Sequence, residues 1–233
     1  TGNNFNFRDI SFDANDINFL SDELIVKKNK KDYFIEGTLK NKKTYLNNEL
    51  LKIIKLKYAQ LDLINTNFES DNEFTFKINN KLQVENLKIN SNILIDSSQY
   101  KKNDLISNSL FEINDLIYLK DHEIKVSYDK NKLSAKGKGK VKIVDKFDPI
   151  DYEFVNKGSD FDFLSNIELS KLNIKNQNLI KEYLPNTKEI LRLKDHKIKA
   201  SYTNKKLSIK GKGKVKLVDK FEFIDYEFAK KGS

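Results

Sequence analysis

Lys136-Gly137-Lys138-Gly139-Lys140-Val141-Lys142, followed by Ile150-Asp151-Tyr152-Glu153-Phe154, returns later in the chain as Lys210 to Lys216 and Ile224-Asp225-Tyr226-Glu227-Phe228. In each stretch, side chains of one kind fall on every second residue, which is the period of a β-strand and not of a helix. The spacing between copies is constant. Leu119-Lys120-Asp121-His122 matches Leu193-Lys194-Asp195-His196, an offset of 195 − 121 = 74 that runs without a gap to the end of the chain. Roughly 30 of the 42 aligned positions are identical, self-similarity of the kind that marks stacked architectures. Upstream the same offset is weaker but present: Ser91-Asn92-Ile93 matches Ser165-Asn166-Ile167, and Leu105-Ile106 matches Leu179-Ile180. The expected organisation is one continuous elongated β domain. It has a divergent first repeat region over 1–84, a second repeat over 85–158, and a third over 159–233 that is truncated at the C-terminus.

Working outward, the rest of each unit also reads as strands. Ile124, Val126 and Tyr128 alternate with Lys125 and Ser127, and Phe161/Phe163 and Ile167/Leu169 continue the pattern. Earlier, so do Phe74/Phe76/Ile78, Leu82/Val84 and Leu87/Ile89. Period-2 patterning with β-branched and aromatic residues, bounded by Asn, Asp, Lys and Gly clusters, is the strand signature. Turns are expected at Asn79-Asn80-Lys81, Lys130-Asn131, Lys157-Gly158-Ser159 and across Val144 to Pro149. One or two short helices are expected, over Thr44 to Ile54 and over Asn178 to Leu184, the latter stopped by Pro185. The fold class that follows is all-β: an elongated, curved antiparallel sheet built from tandem repeats of about 74 residues.

Composition bounds what such a chain does. It has 233 residues, 38% of them apolar and 33% charged, which excludes disorder. No run of about 18 apolar residues exists to cross a bilayer as a helix. The chain opens Thr1-Gly2-Asn3-Asn4, contains no Met and stops at Lys231-Gly232-Ser233 inside a repeat, so it reads as a segment of a longer protein. Cysteine is absent, which removes disulfides, thiolate zinc sites and a Cys nucleophile together.

The net charge is +9, and its placement matters more than its size. Lys136, Lys138, Lys140 and Lys142 share one face of their strand, with Gly137, Gly139, Val141 and Ile143 on the other. The next strand sets Asp151 and Glu153 on the lysine side, so a charge-paired, solvated outer face is expected; the second copy places Lys214 and Lys216 beside Asp225 and Glu227. Aromatics fall opposite the lysines, whereas single-strand nucleic-acid binders interleave both on one surface, so no nucleic acid is expected as a partner.

Chemistry is sparse. His122 and His196 are the only histidines, each following an Asp (Asp121, Asp195) at the same repeat position. Duplication with each unit, and the lack of an activated Ser or a third ligand, favour a structural hydrogen bond over a catalytic base. Asp145 and Asp219 read as turn residues. The Lys/Gly run lacks the Gly-Lys-Ser/Thr ending of a phosphate loop. No catalytic residue, metal ligand or cofactor site is expected, and the chain is read as non-enzymatic.

A sheet of about a dozen strands with one apolar face would expose more than the few hundred Å² usual for a monomer, unless something covers it. Leu87 to Ile93, Leu119 to Tyr128, Leu133 to Gly139 and Phe68 to Phe76 carry a texture of β-repeats that resembles the AsmA-like envelope proteins, the group that includes TamB and YhdP. The resemblance implies a periplasmic β-groove, tethered to the inner membrane by an N-terminal helix absent from this chain. It implies partners too: phospholipid acyl chains, conducted toward the outer membrane, and the envelope membranes reached through the missing termini. The expected groove lining is Ile124, Val126, Tyr128, Ile150, Tyr152 and Phe154, with the copies Ile198, Ala200, Tyr202, Ile224, Tyr226 and Phe228. The alternative is a structural or adhesive β-repeat protein in which the same side chains meet a second sheet and form a closed, dry core.

Overall fold

Alternation without interruption makes strand follow strand. The computed structural model describes residues 3–14, 16–46, 63–101, 111–112, 116–157, 160–175, 190–203, 205–217 and 219–231. Its strands in chain order are β1 (Asn4–Ala14), β2 (Ile17–Asn29), β3 (Asp32–Tyr45), β4 (Leu63–Ile78), β5 (Val84–Lys101), β6 (Phe111–Glu112) and β7 (Leu116–Asp129). They continue as β8 (Lys132–Lys142), β9 (Phe147–Lys157), β10 (Asp160–Lys175), β11 (Ile190–Thr203), β12 (Lys206–Leu217) and β13 (Lys220–Lys231). Twelve of them pair antiparallel in chain order, β5 passing over β6 to pair with β7, into one open sheet whose edges are β1 and β13; β6 leaves this path and pairs with β10. The described residues are all-β and contain no helix.

All the described strands belong to one sheet, and the side chains of its apolar face are mostly only half-buried, so no second sheet lies face to face with it among the described residues. Apart from Ile17 and Val141, the buried apolar residues form one cluster of Leu169, Leu172, Leu191, Leu193 and Val215, flanked by Ile143, Val144, Ile167, Ile174, Ile198 and Ile224.

Bulges keep the two ends of each long strand in phase with that face. Asp9, Asn65, Asp121 and Asp195 take left-handed φ values of 53°, 49°, 53° and 55°, a conformation Asp and Asn tolerate better than most residues. Pairing shifts register beside Asp121, between Lys120 and Glu123, and beside Asp195, between Lys194 and Lys197. The extra residue brings Leu119 and His122, three positions apart, to the same face as Ile124.

Several expectations are corrected here. Thr44 and Tyr45 belong to β3 rather than to a helix, because they continue the β3–β4 ladder opposite Phe68 and Asn67. The rest of that helix beyond Leu46, the Asn178–Leu184 helix with Pro185, and the Gly158-Ser159 turn lie outside the described residues. Leu82 is no strand residue: it sits in the β4–β5 turn with φ 59° and is 82% exposed. The turn before β9 is shorter than expected, spanning 143–146, since Phe147 already pairs with Lys142. Asn79–Lys81 and Lys130-Asn131 do turn the chain.

Candidate functional site

Cα partners in an antiparallel ladder share a face, so the register decides which side chains meet. One row runs across the sheet through Ile124, Gly137, Tyr152, Ser165, Ala200, Ile209 and Phe228. A parallel row runs through Gly139, Ile150, Ile167, Ile198, Gly211 and Tyr226, and a third through Val126, Ala135, Phe154, Phe163 and Tyr202. Tyr128 and Ile224 extend the same face by the strand period. The structure therefore brings all of the expected lining residues onto one face. They are half-buried, except Phe228 on the outermost strand, which is 48% exposed. Aromatic rings tile part of this surface: Phe161 stacks on Tyr202 at 4.6 Å between centroids and lies 5.9 Å from Phe154.

The second and third repeats each carry a ring pair locked over two glycines. In the inner copy the His122 ring lies on Gly139 and the Tyr152 ring on Gly137, so closely that a Cβ on either glycine would overlap the ring. His122 Nε2 donates to the Lys140 carbonyl at 3.0 Å, which leaves Nδ1 to accept from the Tyr152 hydroxyl at 3.2 Å. Burial favours the uncharged form of both groups, lowering the His122 pKa and raising that of Tyr152 to about 12. In the outer copy His196 Nε2 donates to the Lys214 carbonyl at 3.0 Å, but Nδ1 is buried and unpartnered. The Asp-His dipeptide makes no dyad: Asp121 turns to the opposite face and pairs with Lys140 at 3.1 Å.

The first four strands interrupt the apolar face in a way sequence reasoning missed. Ser70 donates to Asn41 Oδ1 at 2.5 Å, and Asn72 donates to Ser70 Oγ at 2.8 Å and to the Leu39 carbonyl at 2.7 Å. The signal was there: Ser70 and Asn72 occupy the apolar phase of β4, four and two residues before Phe74.

The other face is charged. Lys136 lies opposite Glu153 and Lys138 opposite Asp151, the expected register. The nearest ion pair of Lys138 is instead Glu123, at 2.8 Å on the strand to its other side. In the second copy the lysines that meet these carboxylates are not Lys214 and Lys216: Lys212 lies opposite Asp225 and Lys210 opposite Glu227, the latter an ion pair of 3.1 Å, while Lys214 turns to Asp195. A shallow cavity of about 910 Å³ lies on this charged face, bordered by Lys138, Lys140, Asp151, Glu168, Lys197 and Lys212. Among the described residues no group of three or more His, Asp or Glu is placed to hold a metal ion.

No family model matches the chain, and no curated protein or solved structure matches it significantly.

Proposed function

We propose that this chain is a non-catalytic segment of a bridge-like lipid carrier, shielding phospholipid acyl chains on the apolar face of its sheet as they pass between the inner and outer membranes of a bacterial envelope. The observation that carries this reading is a single-layer sheet with one apolar, half-buried face that nothing covers among the described residues. Moving a methylene from water into an apolar environment gains about 0.8 kcal/mol, and one face covers roughly half of each methylene. A 16-carbon chain laid along the rows would therefore be held by several kcal/mol while its headgroup stays in water. The periplasmic setting and the inner-membrane tether follow from the resemblance to AsmA-like proteins.

The second reading, a structural or adhesive repeat with a dry core, requires a layer over the same side chains. Native mass spectrometry of the purified segment, with organic extraction of whatever is bound, separates the two. Co-purifying phospholipid that is lost when Tyr152 and Tyr226 are both changed to Asp supports the carrier. A stable, lipid-free monomer moves the choice to the structural repeat.

A further inference from the structure

The strands group in fours. The β4–β5 ladder joins one group to the next, and the β9–β10 ladder does so again with the same pattern. At the first junction Phe74 faces Ile89, Asn72 faces Ser91 and Ser70 faces Ile93. At the second, Phe154 faces Phe163, Tyr152 faces Ser165 and Ile150 faces Ile167. The incoming strand thus brings a large apolar residue, a serine and an isoleucine at alternate positions, Ile89-Ser91-Ile93 in β5 and Phe163-Ser165-Ile167 in β10. At the second junction the residue opposite the serine is Tyr152, whose ring lies over Gly137 on the other side. On the charged side of the same strand Asn166 donates to Asp151 at 2.8 Å.

β13 repeats β9 through Ile224-Asp225-Tyr226-Glu227-Phe228, and its Tyr226 ring lies over Gly211 as Tyr152 lies over Gly137. Yet among the described residues β13 has no neighbour on its outer side. Phe228 is 48% exposed where its counterpart Phe154 is half-buried. A twelve-residue, proline-free edge strand with this apolar content is a template for pairing unless it is filled.

We infer that the outer edge of β13 is a docking site for one antiparallel strand of the β5/β10 type, contributed by a further four-strand unit of the same repeat. Such a strand seats an apolar residue against Phe228, a serine against Tyr226, an isoleucine against Ile224 and an asparagine side chain against Asp225. Affinity comes from the ladder and specificity from the alternate side chains. This site is independent of the lipid reading, since it uses the sheet's edge and not its face.

The test adds a synthetic peptide of residues 160–175 to the intact 233-residue chain and follows amide hydrogen exchange strand by strand. The expected result is slowing of exchange across 220–231 by about tenfold or more, with β1 unchanged. A peptide carrying Phe163→Asp and Asn166→Asp has no such effect, and because that control leaves the protein untouched, a folding defect cannot mimic it. Unchanged exchange in β13 overturns the inference. So does equal slowing by the altered peptide, or loss of protection in the protein's own β10, which would show strand exchange instead of docking. Slowing of both β13 and β1 with rising protein concentration and no peptide would make a second copy's β1 the occupant and overturn the choice made here.

Discussion

β7–β9 and β11–β13 are close to the same sequence in two surroundings. The inner copy has β10 at its flank, and the outer copy has no flanking strand among the described residues. Inside, His122 shares a hydrogen bond with Tyr152; outside, His196 keeps its carbonyl bond, yet its second nitrogen has no partner. Inside, position 149 is proline and the β9–β10 pairing stops at Ile150, since proline has no N–H to give. Outside, position 223 is a phenylalanine that is 85% exposed beneath the Lys214 ammonium, 5.4 Å from its ring centre. A repeat therefore encodes its strands and its ring slots locally, while the finish of each slot depends on the neighbouring strand.

The largest effects should come where both copies are equally constrained. Gly139→Val and Gly213→Val each place a side chain where a histidine ring is pinned by a backbone carbonyl, and each should cost about 3 kcal/mol by urea denaturation. Equal losses would show that the histidine slot is independent of the sheet's edge. The tyrosine slot should split the copies: Gly137→Ala costs about 2 kcal/mol because Tyr152 is hemmed in by β10, whereas Gly211→Ala costs about 1 kcal/mol because Tyr226 can swing outward. Similar losses at the two sites would remove the neighbour's role. Tyr152→Phe removes a hydrogen bond to a buried nitrogen and should cost about 1 kcal/mol, with Tyr226→Phe close to neutral.

Acid sharpens the comparison further. Burial lowers the pKa of both histidines in the folded chain. The unfolded chain then takes up protons first, so stability is full above the ordinary histidine value of 6.5 and falls as pH drops through it toward the folded value. Urea midpoints measured between pH 7.5 and 5 should decline, and His122→Gln with His196→Gln together should flatten the curve. A slope unchanged in that double variant would place the titration elsewhere. Smallest of all, Glu123→Gln should cost about 0.5 kcal/mol or less, because both partners of its Lys138 ion pair are largely exposed.

Much of this was legible in the residues. Alternation in Ile124–Tyr128 and Ile150–Phe154 announced strands and their common face, because strand period 2 leaves no freedom in which side chains share a side. The bulges were not legible. Asp121 and Asp195 look like ordinary polar residues before a histidine, and only their left-handed backbone shows why His122 rejoins the apolar face instead of pairing with Asp121. Register in the second copy was misjudged for a related reason. The turn before β13 sets which lysine meets Asp225, and a shift by any even number of residues preserves the face, so the alternation pattern cannot fix it. The polar Asn41–Ser70–Asn72 network needed three-dimensional pairing, since its members come from two strands and would read singly as turn-formers.

The claim that lipid travels on the apolar face, and not in the shallow cavity of the charged one, is tested most directly by photo-crosslinking. A benzophenone side chain placed at Val126 or Ile167 looks out from the apolar face, and at the adjacent Lys125 or Asn166 from the charged face. With the segment incubated with phospholipid, the account predicts lipid adducts at positions 126 and 167 and none above background at 125 and 166. Adducts of equal yield on both faces, or confined to the charged one, would contradict it.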